Sequence, residues 1–170
     1  MTRSEARQLL GRLKIKPSRK LGQNFLVDDN LRHRLIAEAE IRSDERIVEI
    51  GPGLGAMTEL LLVGGAEVIA IEYDVRLAAY LREHFAAEPR ITVLQADAAR
   101  VDYAELVGEA PWRCLGNLPY AVSSVIVARV LDLDNPPRRM DFVLQKEMAE
   151  RLAAAPRTKA YGSLSVRTQM

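Results

Sequence analysis

Five short runs rich in valine, isoleucine and leucine, at 46–50, 67–71, 91–96, 113–115 and 141–144, alternate with stretches whose apolar residues fall at helical spacing. That alternation constrains the chain more than any other feature. A run that is apolar on both faces must be covered on both sides, and helical connections return the chain in the same direction. The pattern predicts an α/β fold, a mostly parallel sheet with helices on both faces. Connecting helices are read at 56–63, 75–86, 103–107 and 123–131, with another at 146–154 that Pro156 ends. Ahead of the first run, Asp28 or Asp29 can cap a helix carrying Leu31, Leu35, Ile36 and Ala39. At 170 residues and 48% hydrophobic, the chain suits one domain with a real core and is too apolar to be disordered.

The first twenty residues carry Arg3, Arg7, Arg12, Lys14, Lys16, Arg19 and Lys20 against the single acid Glu5. Residues 1–20 are read as a basic arm, helical over 4–13, facing solvent or phosphates; 21–170 form the α/β domain. Cys114 stands alone, so neither an internal disulfide nor a zinc cage is available, which points to a reducing, cytoplasmic setting. No apolar run approaches the ~20 residues of a membrane helix. His33 and His84 lack partners at metal-ligand spacing, and no metal is expected.

The first apolar run leads straight into Gly51-Pro52-Gly53-Leu54-Gly55 and then a helix. A sharp turn at a strand's carboxyl end, with room for a ligand against the backbone, needs glycine there. Glu72 ends the next strand, where a carboxylate can accept both hydroxyls of a ribose. Asp97 ends the one after. A glycine loop alone is weak evidence; with acids at two successive strand ends it describes a nucleoside-cofactor edge. The spacing is Gly-x-Gly-x-Gly instead of the dinucleotide Gly-x-Gly-x-x-Gly, and Glu49 just before it is awkward beside a pyrophosphate. An acid at that position suits a cofactor carrying a sulfonium and an ammonium, so S-adenosylmethionine is favoured over a dinucleotide oxidoreductase.

Gly116 and then Asn117-Leu118-Pro119-Tyr120 follow the fourth run. As a bare turn the tetrad would need no function. At the carboxyl end of a cofactor-binding sheet it matches a specific chemistry. An adenine amine is a poor nucleophile because its lone pair is delocalised into the ring. The Asn117 amide oxygen can accept one amine hydrogen and the Leu118 carbonyl the other, with Pro119 restraining the backbone and Tyr120 offering a face for stacking. Such a base must be flipped or already unpaired.

The segments 20–26, 49–55, 117–120, 145–147 and 159–166 closely resemble, in this order, motifs of the bacterial small-subunit rRNA adenine N6,N6-dimethyltransferase family. The resemblance covers about Lys16 to the last residue. It implies a Rossmann-like class I S-adenosylmethionine methyltransferase, acting as a monomer late in small-subunit assembly. The substrate would be two adjacent adenines in a hairpin loop near the 3′ end of 16S rRNA, in the subunit or its precursor. It further implies that Asn24 and Leu26 touch the cofactor and that the Gly51 and Gly53 loop passes its methionine part. Glu72 would hold the ribose and Asp97, beside Ala98, the adenine amine, with Asn117 between methyl group and target. In that family two more strands, a proline-rich loop with a second aromatic, and a helical domain follow. The chain is therefore expected to be an N-terminal fragment in which cofactor binding outlasts catalysis. Two rivals remain: the related large-subunit, antibiotic-resistance methyltransferases, disfavoured by leucine at 118, and a non-catalytic nucleic-acid-binding relative, disfavoured by intact Asn117 and Tyr120.

Overall fold

Strands form where the sequence is apolar on both faces. The computed structural model describes residues 3–15 and 28–170. Its sheet comprises β1 (Arg46–Ile50), β2 (Glu67–Glu72), β3 (Ile91–Gln95), β4 (Trp112–Asn117) and β5 (Met140–Val143). All pairings are parallel, in the order β3-β2-β1-β4-β5. The mostly parallel sheet expected from sequence is wholly parallel among the described residues.

The helices are α1 (Arg3–Arg12), α2 (Asp29–Ala39), α3 (Ala56–Val63), α4 (Val75–His84), α5 (Tyr103–Val107), α6 (Tyr120–Leu131), α7 (Lys146–Leu152) and α8 (Ser163–Gln169). On one face of the sheet Ile47, Val68, Ala70 and Leu115 pack against α2 and α3 through Ala39, Met57 and Leu61. On the other, Val48, Ile50, Ile71 and Cys114 meet α5 to α8 through Tyr103, Ile126, Met148 and Leu164. Each fully buried aliphatic side chain contributes roughly 1.5–3 kcal/mol, so these two layers hold the sheet between the helices. Cys114 is a core residue, as its apolar surroundings predict.

Four expectations change. β4 runs on to Asn117, because Gly116 lets the strand continue where a side chain would strike the Ile50 carbonyl at 2.4 Å. The tetrad therefore begins inside the strand. α6 starts at Tyr120 and not at 123, with Pro119 as its N-cap at φ −63°. Asp28 caps α2, its Oδ1 accepting from Leu31 N at 3.1 Å, but the buried stripe is shifted: Leu31 is exposed and Arg32, paired with Asp29, is buried. Of the basic arm, the described residues 3–15 are helical over Arg3–Arg12 and also docked. Ala6, Leu9 and Ile15 are buried against Leu54 of the glycine loop and Leu77 of α4, and Arg76 Nη1 donates to the Lys14 carbonyl at 2.9 Å. Ala6 and Leu9, three apart on one helical face, are the sequence signal for this docking beneath the basic charge. No helix among the described residues is long and apolar enough to cross a membrane.

Candidate functional site

The strand order reverses direction between β1 and β4, and parallel sheets bind ligands in the crevice at the carboxyl end of such a switch point. The glycine loop opens there. Gly51 stays bonded to the sheet, its N–H donating to the Ile71 carbonyl at 2.9 Å, while φ of +69° swings the chain away. A Cβ at Gly51 would lie 3.6 Å from the Asn117 carbonyl, so the loop and the tetrad meet across the crevice. Leu54 is buried under α1, which buttresses the loop from behind.

One strand over, Glu72 is buried, and each carboxylate oxygen already accepts an amide: Gly53 N at 3.1 Å and Asp74 N at 2.9 Å. Gly53 of the loop is thereby clamped to the acid that ends the next strand. Each oxygen keeps a further lone pair for a ligand hydroxyl. Burial pushes the Glu72 carboxyl above its ordinary range; the Asp74 and Gly53 amides pull the other way. Asp97 is placed beside it, since the Ala96 N–H donates to the Glu72 carbonyl at 3.0 Å. Its Oδ1 accepts from Ala99 N at 2.9 Å, and the Ala98 carbonyl accepts from the Tyr103 hydroxyl at 2.8 Å, so this corner is rigid.

Asn117 is the last residue of β4, half-buried and in register with Val143. The Leu118 N–H donates to the Val143 carbonyl at 3.1 Å and its side chain sits in the core, which fixes the peptide that follows. Pro119 then directs the chain into α6, placing Tyr120 at its first turn. Gly51, Gly53, Glu72, Asp97, Ala98, Asn117, Leu118 and Pro119 thus share the carboxyl edge of four adjacent strands. Asn24 and Leu26 lie outside the described residues, as does the Tyr120 side chain.

Glu49 is more than a neighbour of the loop. It is 2% exposed and accepts from Thr58 Oγ1 at 2.6 Å. Burial raises its carboxyl to about 7, against the Thr58 hydrogen bond and with added repulsion from Glu72. Strand alternation, which puts it on the Ile47 face, was the available sign that it would be enclosed. His84, by contrast, is spent on Glu59 at 3.0 Å and on stacking with Tyr80. A separate cleft, bordered by Arg42, Arg46, Trp112 and Arg138, lies at the opposite, amino-terminal edge of the sheet.

Fold and edge together define a Rossmann-like methyltransferase of the S-adenosylmethionine class. A dimethyladenosine transferase from Plasmodium falciparum superposes with a TM-score of 0.71 at 26% identity, over 84% of this chain and 50% of that one. The 23S rRNA methyltransferase ErmE gives 0.67 at 33% identity, over 85% and 55%. Residues 14–170 match the family model for ribosomal RNA adenine dimethylase, and the chain belongs to that family. The ribosomal RNA small subunit methyltransferase A of Hahella chejuensis is 43% identical over 152 residues, 89% of this chain and 56% of the relative. The chain spans about half the length of the curated relatives it matches.

Proposed function

We propose that the carboxyl edge binds S-adenosylmethionine and that the protein dimethylates N6 of two adjacent adenines in a 3′-end hairpin loop of 16S rRNA. The observation that carries this reading is the meeting of Asn117 with the Gly51 loop at the switch point, beside an amide-clamped Glu72. Small subunit methyltransferases at 43%, 41% and 40% identity support the small-subunit substrate over the large-subunit one. On this reading the protein works in the cytoplasm as a monomer on the small subunit or its precursor.

The residues fit that cofactor. Glu72 has acceptor capacity left for the two ribose hydroxyls, Asp97 for the adenine amine, and the glycine loop leaves backbone open to the methionine part. When bound, S-adenosylmethionine supplies an electrophilic methyl carbon on a cationic sulfur. Asn117 accepts one hydrogen of the target amine through its amide oxygen. The Leu118 carbonyl, on a peptide held by Val143 and Pro119, accepts the other. In the first transfer both hydrogens are engaged, so the nitrogen moves towards tetrahedral geometry with its lone pair directed at the methyl carbon; in the second a single hydrogen remains, and one of the two acceptors orients the amine. Tyr120 supplies the stacking face for the flipped base. The N-methylated cation that the transfer forms is acidic enough to give its proton to water, so the site needs no strong base.

The test is mass analysis of both ribosomal RNAs after incubation of under-methylated subunits with labelled cofactor and the chain extended to its relatives' full length. Two dimethylated, adjacent adenines near the 3′ end of 16S rRNA are expected. Label confined to 23S rRNA, or absent from both, would overturn the reading.

A further inference from the structure

Helix α1 grips the cofactor edge by two routes. Its inner face and cap bury Ala6, Leu9 and Ile15 against Leu54 of the glycine loop and Leu77 in the first turn of α4. At its end the Lys14 carbonyl accepts from Arg76 Nη1 at 2.9 Å, and Arg76 Nη2 donates to Asp74 Oδ2 at 3.0 Å. The Asp74 N–H donates in turn to Glu72 Oε1, whose other oxygen takes the Gly53 N–H. The apolar and the polar route thus close on the same loop. The surface turned away from the domain carries Arg7 and Arg12, with Lys14 after them, all exposed, against the single acid Glu5. We propose that α1 is a strap between RNA and cofactor: Arg7, Arg12 and Lys14 take backbone phosphates of the RNA substrate, and that contact tightens the glycine loop and Glu72 on the cofactor. The strap presupposes the RNA methyltransferase reading above.

Placement favours that partner. Leu54 follows β1 and Leu77 follows β2, so α1 lies at the carboxyl edge, and only β1 stands between β2 and Asn117 at the end of β4. Strands two apart in a sheet are roughly 10 Å from each other. A polyanion that presents a base at Asn117 carries its neighbouring phosphates across that distance, towards cations spread along α1. Coupling requires two states that the RNA distinguishes. Docked, α1 holds its cations in one fixed array; undocked, the same cations hang on a tether, and ordering them costs binding free energy. Docking rests on few apolar side chains, a local contact of the kind a ligand can shift. Lys14 adds a second sign. It sits at φ +54° in a helix cap where the Ile15 N–H donates to the Leu10 carbonyl at 2.9 Å and the Lys14 N–H to the Gly11 carbonyl at 3.1 Å. Glycine is the usual occupant of that left-handed position, so the fold itself does not call for a lysine there.

Calorimetry on the chain extended to its relatives' length, with S-adenosylhomocysteine and a synthetic hairpin of the 16S rRNA 3′ end as probes, measures each affinity with and without the other ligand. The RNA should raise S-adenosylhomocysteine affinity about 3-fold, and by linkage the nucleoside should raise RNA affinity by the same factor. Combining Arg7→Gln, Arg12→Gln and Lys14→Gly should lower RNA affinity about 10-fold or more at fixed salt and remove about two to three from the slope of log affinity against log salt. Lys14→Gly alone keeps the helix cap, so its melting temperature should hold. Leu9→Ala loosens the docking: S-adenosylhomocysteine affinity should fall about 10-fold without RNA and recover in part when RNA is added. If Leu9→Ala does not fold, the wild-type coupling and the charge variant stand as the test. RNA affinity and salt slope left unchanged by the charge variant overturn the phosphate surface and the strap. Equal S-adenosylhomocysteine affinity with and without bound RNA also overturns the strap and leaves the methyltransferase reading intact. Failure of either probe to bind overturns that reading and the strap with it.

Discussion

Arg113 and Glu49 lie on the same face of the same sheet, both more than nine-tenths buried, and their treatment is opposite. Arg113 Nη1 donates to Glu45 and Nη2 to Asp141, each at 2.8 Å, and Nη2 also reaches the Ala39 carbonyl. Asp141 is further held by Arg139 Nε at 2.8 Å. Burial opposes ionisation of Glu45, yet the Arg42 amide and the Arg113 guanidinium hold its carboxyl below the usual range. Towards the carboxyl edge, Glu49 and Glu72 are also buried, receive only hydroxyl and amide donors, and are both pushed up. Charge that ties elements together is balanced inside the protein. The buried acids of the carboxyl edge have no basic partner among the described residues, and burial disfavours their charge.

The sharpest way to break this contrast is to unbalance the balanced end. Arg113→Met should destabilise the protein by roughly 2–3 kcal/mol, because two partly exposed acids and the Ala39 carbonyl lose their guanidinium donor. Urea denaturation would show it, with cofactor affinity of the folded fraction unchanged. A loss below 1 kcal/mol would mean that the network is not structural. Next in size, Asn117→Ala in a chain extended to its relatives' length should lower methyl transfer to small subunits roughly 100-fold with the melting temperature held, since on the proposed reading Asn117 orients the nucleophile. Turnover at the wild-type rate would remove it from the mechanism.

The open end makes a pH prediction. An acid whose folded value lies near 7 contributes stability that is complete below its unfolded value, near 4.5, and is lost as pH rises through 7. Unliganded wild-type protein should therefore lose up to about 3 kcal/mol between pH 4.5 and pH 8.5 relative to Glu49→Gln. Parallel profiles for the two proteins, measured by urea denaturation, would contradict the raised carboxyl.

Much of this was legible in the sequence, for reasons that differ by element. Apolar runs and the glycine loop announce strands and a ligand-facing turn because backbone and burial demand those residues locally. Glu72 and Asp97 are placed at the carboxyl edge by the sequence because strand ends are predictable once strands are. Gly116 was passed over: its role depends on the Ile50 carbonyl of a neighbouring strand, a contact between residues 66 apart. Arg113 and Arg32 were unreadable for the same reason, their partners or burial being set by packing. The docking of α1 was hidden beneath its basic charge.

The central claim is that the carboxyl edge, with Glu72 as ribose acceptor, holds S-adenosylmethionine. Titration calorimetry of wild-type protein and Glu72→Ala at fixed pH and salt tests it most directly. Saturable one-to-one binding by the wild type, weakened by roughly 1–3 kcal/mol in the variant as two hydroxyl hydrogen bonds are lost, is the predicted result. Equal affinity in the two proteins would contradict the site as drawn.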